Sequence, residues 1–283
     1  MQHRRFRRPP PVLLPTAHIA VLLERSDARV SPEPLPLKHC HSGQRDRGGL
    51  RCRPSNRRHR CSSCKRRCRA PRAALSRPSA LLTEQLKTEV ILSNDLSAAA
   101  WGEFKFGAGR GEDEVYTVFV GTGVGSAIIS SGRLLHGASG VAGELGHIKV
   151  MRDGRQCGCG QHGCLEAYAG GAGLAAWMQD EGLTGNAGDL ERLVESGSAK
   201  AKQLFDFVTQ SLGVAIANQV TVLNPGRLVL GGGVLMNSPR LTEQVVAHVK
   251  STTGARAAAR VQIKMAALGD DSGLIGAALL AAG

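Results

Sequence analysis

One histidine and three cysteines lie close together near the middle of this 283-residue chain: His147, Cys157, Cys159 and Cys164. Imidazole nitrogen and thiolate sulfur are ligands that zinc prefers, and three cysteines with one histidine fill its four tetrahedral positions. A filled shell leaves no place for a substrate, so the spacing predicts a structural zinc ion. Glycines between the cysteines allow the tight turns that a loop around an ion requires.

Two simpler explanations of these cysteines stay open on spacing alone. They can be reduced thiols in a surface loop, or two of them can form a disulfide bond that leaves the third unpaired. A second cluster, His59 with Cys61, Cys64 and Cys68, is a weaker metal candidate because no regular second pair follows it. Thiolate zinc sites favour a reducing compartment, so we expect a cytoplasmic protein.

A strand and a helix upstream must position the next candidates. The apolar run before Asn94 and Asp95 predicts a buried strand, and small residues at helical spacing then predict a helix that stops at Gly107. Side chains at the carboxyl end of a strand often line binding sites in α/β folds. The same Asn-Asp pair can instead be only the N-cap of the helix. A shorter helix is predicted before the strand, with Thr83 as its N-cap.

Two glycine-rich turns follow apolar strands further along the chain. The first contains Gly121, Thr122, Gly123 and Gly125, and its backbone N–H groups can point at a phosphate. Such a turn is often only a hairpin connection. The second is the run from Gly231 to Gly233. Between and after the turns, the pattern predicts several helices, the longest of them with one apolar face.

Two motifs, GELGH at 143–147 and CGCGQHGCLEAY at 157–168, resemble the signature of the ROK family (repressor, open reading frame, kinase), whose enzymes are ATP-dependent sugar kinases. The resemblance runs from about Leu81 to the C-terminus. It implies an α/β chain with the actin-like (ribonuclease H-like) ATPase fold of sugar kinases. It also implies a glucose-like hexose as substrate, MgATP as co-substrate, a structural zinc ion and a homodimer.

The resemblance implies roles for single residues as well. Asp95 is the expected general base for phosphorylation of a sugar hydroxyl, and the segment that carries it resembles the family's catalytic segment. The implied sugar-binding residues are Asn94, Asp95, Glu144, His147 and Glu166, with His147 serving both zinc and sugar. The implied nucleotide-binding residues are Gly121, Thr122, Gly123 and Gly125 at a phosphate loop and Gly231, Gly232 and Gly233 beside the adenosine.

The first 80 residues differ from the rest in composition. They hold 18 Arg and 2 Lys against 4 acidic residues, a net charge of +16, whereas the whole chain carries +13. Such a segment buries too little apolar surface to fold alone, so we expect it to be disordered. Its composition is also typical of a frameshifted reading of GC-rich DNA. We therefore divide the chain into residues 1–80, a remnant of a first actin-like lobe at 81–112, and a second lobe at 113–283 whose last helix can pack on the first.

The first lobe is expected to be incomplete. An Asp-x-Gly-Gly-Thr phosphate loop, which the family carries at the start of that lobe, is not found, and residues 1–80 are not expected to supply its strands. The alternative function is therefore an inactive sugar-binding or regulatory ROK protein. The arginine-rich segment can bind nucleic acid through phosphate contacts without sequence specificity. The short apolar run at 18–23 cannot span a bilayer, and we expect no membrane segment.

Overall fold

The computed structural model describes residues 19–23 and 77–282. The strands are β1 (Ile19–Leu23), β2 (Val90–Asn94), β3 (Val115–Val120), β4 (Val124–Ser130), β5 (Arg133–Leu134), β6 (Arg227–Gly231) and β7 (Gln262–Met265). The α-helices are α1 (Arg77–Leu86), α2 (Asp95–Phe106), α3 (Glu166–Ala169), α4 (Gly171–Asp180), α5 (Ala187–Glu195), α6 (Ala199–Leu223), α7 (Gly233–Met236), α8 (Pro239–Thr252), α9 (Ala255–Ala258) and α10 (Ser272–Ala282).

Two compact units divide the chain. One contains residues 1–23 and 88–283, and the other contains residues 24–87, of which α1 is the main described part. Because α1 begins at Arg77, Thr83 lies inside the helix, and the prediction that Thr83 is its N-cap was wrong: an N-cap needs a non-helical backbone.

A short parallel pair of strands precedes the helix that carries Asp95. Strand β1 pairs with β2 along its full length, from Ile19 opposite Val90 to Leu23 opposite Asn94. Residues 1–80 thus contribute this one five-residue strand, and its apolar residues suit a strand. The expectation that they do not supply the strands of a first lobe stays a prediction. The predicted disorder or frameshift, the nucleic-acid arm and the second cysteine cluster concern residues that otherwise lie outside the described part, and they stay predictions.

Helix α2 starts and stops where the sequence predicts, at Asn94 and Gly107. Helix α10 packs against its small residues. A Cβ atom at Gly276 would lie 1.7 Å from the Ala98 carbonyl oxygen, and one at Gly102 would lie 2.6 Å from that of Ser272. These glycines therefore allow the two helix backbones to approach closely.

The main sheet has five strands in the order β5-β4-β3-β6-β7. Strand β3 is antiparallel to β4 and parallel to β6, and β6 is parallel to β7. All six residues of β3 are buried, which agrees with its continuous apolar run and its central position. The sheet confirms the strands that the sequence predicts at the two glycine-rich turns.

Helix α6 buries more residues than any other described helix, as its long apolar face predicts. Leu212, Ile216 and Val220 on this helix have no solvent exposure. Helix α8 packs on α6 at Gly213, where a Cβ atom would lie 2.2 Å from that of His248. Within the part of the chain that the structure describes, every helix is too short or too polar to cross a bilayer.

Candidate functional site

The structure brings His147, Cys157, Cys159 and Cys164 together, with one ligand atom from each within 4.8 Å of the others. The Cys159 and Cys164 sulfurs are 3.7 Å apart, and the Cys157 sulfur lies 3.8 Å from His147 Nδ1. Ligands at zinc bond lengths of about 2.0–2.3 Å in a tetrahedron are separated by about 3.6–3.8 Å. The four residues therefore fit a tetrahedral zinc ion. The three thiols are free, so the alternative of a disulfide bond is not realised.

Backbone hydrogen bonds shape the loop that holds the cysteines. The Cys157 N–H donates to the Gln161 carbonyl at 2.7 Å, and the Gly163 N–H donates to the Arg155 carbonyl at 2.9 Å. Gly163 has φ +73°, and a Cβ atom there would lie 1.7 Å from the Met151 carbonyl oxygen. Only glycine fits at this position, so Gly163 is required for this turn of the loop.

Charge around the cysteine cluster is arranged to accept thiolates. Lys149 Nζ lies 2.8 Å from the Cys164 sulfur. A hydrogen bond from the backbone at Gln161 lowers the pKa of Cys159, whereas burial raises the pKa of Cys157 to about 12. Zinc binds the deprotonated thiol. Because burial disfavours the Cys157 thiolate, a bound cation would be needed to stabilise it in this position. Lys149 was missed in the sequence because lysine at a loop edge carries no distinctive spacing.

Glu166, the first residue of α3, connects the cysteine cluster to the first glycine-rich turn. Its Oε2 accepts the Val124 N–H at 3.0 Å, and its Oε1 lies 3.8 Å from the Cys157 sulfur. A Cβ atom at Gly123 would lie 2.5 Å from Oε2, so the turn leaves this space to the carboxylate. The predicted sugar-binding glutamate and the predicted phosphate turn are therefore in direct contact.

The two nitrogens of His147 face different partners. Nδ1 faces Cys157, while Nε2 lies 3.6 Å from Glu144 Oε2. A metal-ligating histidine commonly offers its second nitrogen to a carboxylate, which fixes the ring orientation. His147 thus lies between the cysteine cluster and Glu144, and its double role in zinc and sugar binding stays a prediction. Glu144 itself is the residue before a 3-10 helix at Leu145–His147.

Asn94 and Asp95 lie at the start of α2. Asn94 Oδ1 accepts the N–H groups of Leu96 and Ser97 at 3.1 and 3.2 Å, so the capping alternative is realised for Asn94. Asp95 Oδ1 accepts the Leu96 N–H at 2.8 Å. These bonds lie within their own helix, so they do not join the pair to the cysteine cluster. Both side chains are half-buried and remain candidates for substrate contact.

The structure corrects one detail of the first glycine turn and shows what surrounds the glycines of the second. Residues 121–123 form the first turn, but Gly125 lies within β4 opposite Phe119, so its inclusion in the turn was wrong. At the second turn, Cβ atoms at Gly231 and Gly232 would lie 2.7 Å from the Phe119 ring and 2.6 Å from the Val120 backbone. Their glycines are thus needed for packing on β3. At Gly233 a Cβ atom would lie 3.7 Å from Asn237 Nδ2, an ordinary contact distance. The nucleotide-binding roles of Gly231, Gly232 and Gly233 stay predictions.

Other supporting residues carry no motif and were missed. Glu103 on α2 is fully buried, and Tyr116 and Ser126 form a buried hydrogen bond of 3.0 Å between β3 and β4. An alternating or helical pattern marks such positions as inward-facing, but it does not reveal which backbone groups they bond. Long-range partners of this kind are set by the tertiary fold.

Comparison with known proteins identifies relatives of this arrangement. The family model described as ROK family matches residues 78–283. The chain is 36% identical over 212 residues to a glucokinase of Halalkalibacterium halodurans, covering 69% of this chain and 64% of that protein. It is 38% identical over 202 residues to an N-acetylmannosamine kinase of Shigella boydii, covering 71% and 67%. The chain thus spans less than two thirds of the length of the first of these relatives.

Solved structures share the fold. A ROK hexokinase from Thermus thermophilus matches with a TM-score of 0.65 and 34% identity, over 72% of this chain and 68% of that one. A ROK glucokinase from Streptomyces griseus, solved with glucose and AMPPNP, matches with a TM-score of 0.61 and 31% identity, over 72% of each chain. With the mixed α/β architecture, these matches confirm the expected actin-like ATPase fold of sugar kinases. The boundaries of its lobes, at residues 81–112 and 113–283, stay predictions.

Proposed function

This chain belongs to the ROK family, and we propose that it is an ATP-dependent sugar kinase acting on a glucose-like hexose. The observation that carries the proposal is the contact of Glu166 with the Val124 N–H at 3.0 Å, beside the cysteine cluster. It sets a carboxylate suited to sugar hydroxyls directly against a glycine turn suited to phosphate. Relatives named glucokinase and N-acetylmannosamine kinase support the same reaction class.

Asp95 is the proposed general base. As the hydroxyl oxygen of the sugar bonds to the γ-phosphorus of ATP, the bond from that phosphorus to the ADP oxygen breaks and the hydroxyl proton passes to the Asp95 carboxylate. Phosphoryl transfer depends mainly on positioning and charge stabilisation, with Mg²⁺ bound to the nucleotide phosphates. The half-buried position of Asp95 at the start of α2 leaves its carboxylate accessible to substrate.

Sugar recognition is assigned to Glu144, Glu166, His147 and Asn94. Each carboxylate accepts two or more hydrogen bonds from hydroxyl groups. The hydrogen bond from the Val124 N–H to Oε2 holds the Glu166 carboxylate in one orientation. Asn94 uses Oδ1 to cap α2, which leaves its Nδ2 amide group as a donor to a sugar oxygen.

Nucleotide binding is assigned to the two glycine turns. The turn at Gly121, Thr122 and Gly123 would face the phosphates, and Gly233 would face the adenosine. The carbonyl groups of Gly121 and Thr122 accept N–H groups of Gly171 and Ala172 at 2.8 and 3.0 Å, so the start of α4 holds this turn in place. A turn that is already fixed loses little conformational freedom when it binds phosphate.

A structural zinc ion is assigned to His147, Cys157, Cys159 and Cys164. Zinc, when bound there, would supply a fixed tetrahedral anchor for the loop. Three thiolates outweigh the charge of the ion, and Lys149 beside Cys164 offsets the remaining negative charge. The anchored loop then holds Glu166 and His147 in position for the sugar.

A second candidate function is a ROK-family sugar-binding or regulatory protein without turnover. The observation that favours it is the start of the family match at residue 78, together with the missing Asp-x-Gly-Gly-Thr loop. Half of the phosphate contacts of a kinase would then be absent, and transition-state stabilisation would suffer. Homodimer formation and a cytoplasmic location remain proposals that follow from the family alone.

The test is ADP release from MgATP with D-glucose, D-mannose and N-acetyl-D-mannosamine. A kinase shows hexose-dependent release, and Asp95→Asn reduces it by about 10²–10⁴-fold. The matched control is Asp206→Asn, since Asp206 is an exposed residue of α6 that pairs with Lys202 across one turn. Hexose-independent release, or an Asp95→Asn variant as active as the wild type, would contradict the kinase. Sugar binding without turnover would favour the second candidate.

A further inference from the structure

A buried chain of hydrogen bonds leads from the sheet to the residue before Glu144. The Tyr116 hydroxyl on β3 donates to Ser126 Oγ on β4 at 3.0 Å, and Ser126 Oγ donates to the Gly143 carbonyl at 2.8 Å. Tyr116 and Ser126 are only 2% and 4% exposed. Buried polar groups destabilise the fold unless each of them has a hydrogen-bond partner.

The Gly143 carbonyl is held unusually firmly. Besides Ser126 Oγ, it accepts the Ser126 N–H at 3.1 Å and the Leu145 N–H at 2.8 Å. Gly143 has φ +86°, and a Cβ atom there would lie 2.2 Å from the Ser126 carbonyl oxygen. The peptide group between Gly143 and Glu144 therefore has one accessible orientation. That peptide group sets the direction in which the Glu144 side chain leaves the backbone.

The Tyr116 hydroxyl, at the far end of this hydrogen-bond chain, is a constant donor. Tyr116 lies in the apolar core, and burial raises the pKa of its phenol well above the ordinary range. The phenol therefore keeps its proton at neutral pH and can donate to Ser126. Its hydroxyl leaves Ser126 free to donate onward, because a hydroxyl can accept one hydrogen bond while donating another.

We infer that Ser126 and Tyr116 are positioning residues that fix Glu144 for sugar binding. The inference rests on the proposed function, in which Glu144 binds the sugar, and it assigns to two core residues a share of the affinity for that sugar. Neither residue needs to touch the ligand. Ser126 acts through the Gly143 peptide, and Tyr116 acts only through Ser126.

Calorimetric titration of the full chain with D-glucose and, separately, with ADP tests this inference. Ser126→Ala should weaken glucose binding by about tenfold and leave ADP affinity and zinc content unchanged. Tyr116→Phe, which keeps the ring in the core, should weaken glucose binding by a smaller factor. In the double variant the tyrosine change should add nothing further, since its effect passes through Ser126.

Thr117→Val is the matched control. Thr117 is the next residue on β3, it is fully buried, and among the described residues its hydroxyl has no hydrogen-bond partner. Replacing it removes a buried hydroxyl from the same strand, yet glucose affinity should not change. If Ser126→Ala binds glucose as the wild type does, or loses glucose and ADP affinity equally, the inference is overturned. If the wild-type chain binds no hexose, the proposed function fails and this inference falls with it.

Discussion

The buried carboxylate of Glu103 holds three backbone amides, and its replacement by glutamine should destabilise the chain. Oε1 accepts the N–H groups of Ala267 and Leu268 at 2.9 and 2.8 Å, and Oε2 accepts that of Ala108 at 2.8 Å. These bonds tie α2, which starts at Asp95, to the connection between β7 and α10. The side chain has no solvent exposure, so water cannot replace it.

The magnitude follows from the acceptor count. Glutamine has one oxygen and one NH₂ group, so in either orientation a donor faces at least one of the three N–H groups. An amide left without its acceptor costs about 1–3 kcal/mol, and the bonds that remain lose their charge-assisted strength. A neutral side chain is easier to bury than a carboxylate, which offsets part of this loss. We expect Glu103→Gln to lower the free energy of unfolding by about 2 kcal/mol.

Urea unfolding followed by the fluorescence of Trp101, two residues before Glu103 on α2, measures this change. The midpoint should fall while the slope stays constant, because the exposed surface is unchanged. Glu243→Gln, on the exposed face of α8, is the control and should change the free energy by less than about 0.5 kcal/mol. A loss for Glu103→Gln no larger than that of the control would refute the assigned hydrogen bonds.

Three further predictions concern the loop, the second turn and a helix cap. Elemental analysis of the purified chain should find about one zinc ion. Cys164→Ser should remove the ion and lower the Tm measured by thermal unfolding. A wild-type chain without metal would contradict the site. Gly232→Ala should lower the free energy of unfolding in urea by about 2 kcal/mol or more, because φ is +88° and the added Cβ would contact the Val120 backbone. Gly233→Ala is the control and should not lower it. Equal effects of the two variants would refute the packing assignment. Asn186→Ala should cost about 1 kcal/mol, because Asn186 caps α5. The hydrogen bond from the Asn186 N–H lowers the pKa of Asp189 below its ordinary 3.8. The contribution of Asp189 to the stability of the fold is therefore present at neutral pH and is lost as the pH falls through the lowered pKa. An Asp189→Asn variant with the same acid sensitivity as the wild type would argue against this.

The local elements of this fold were predictable because their signals are local. The Asn94 cap, the Gly107 stop and the uninterrupted apolar run of β3 each depend on neighbouring residues. The cysteine cluster was predictable for a related reason: its ligands lie within eighteen residues and zinc imposes one geometry on them. The prediction for Thr83 was wrong because a threonine is also tolerated inside a helix, and α1 begins six residues before it.

The supporting contacts were not predictable because they join distant parts of the chain. Glu103 meets amides more than 160 residues away, and only the packing of α10 on α2 brings them together. The sequence predicts that Gly231 and Gly232 contact a nucleotide. The structure shows that Cβ atoms at these two positions would contact Phe119 and Val120. A glycine in a sequence shows that space is short, but only the fold shows which group occupies it.

Glu166 connects the cysteine loop with the first glycine turn. One carboxylate oxygen accepts the Val124 N–H at the end of the turn, and the other lies 3.8 Å from the Cys157 sulfur. Movement of the cysteine loop would therefore shift Glu166 and, through Val124, the turn at residues 121–123. The cysteine loop lies between His147 and the helix of Glu166. One zinc ion bound there would therefore fix both the carboxylates that we propose for sugar binding and the adjoining turn that we propose for phosphate. Loss of the metal should thus weaken glucose and ADP binding together, whereas loss of the Ser126 hydroxyl should weaken glucose binding alone.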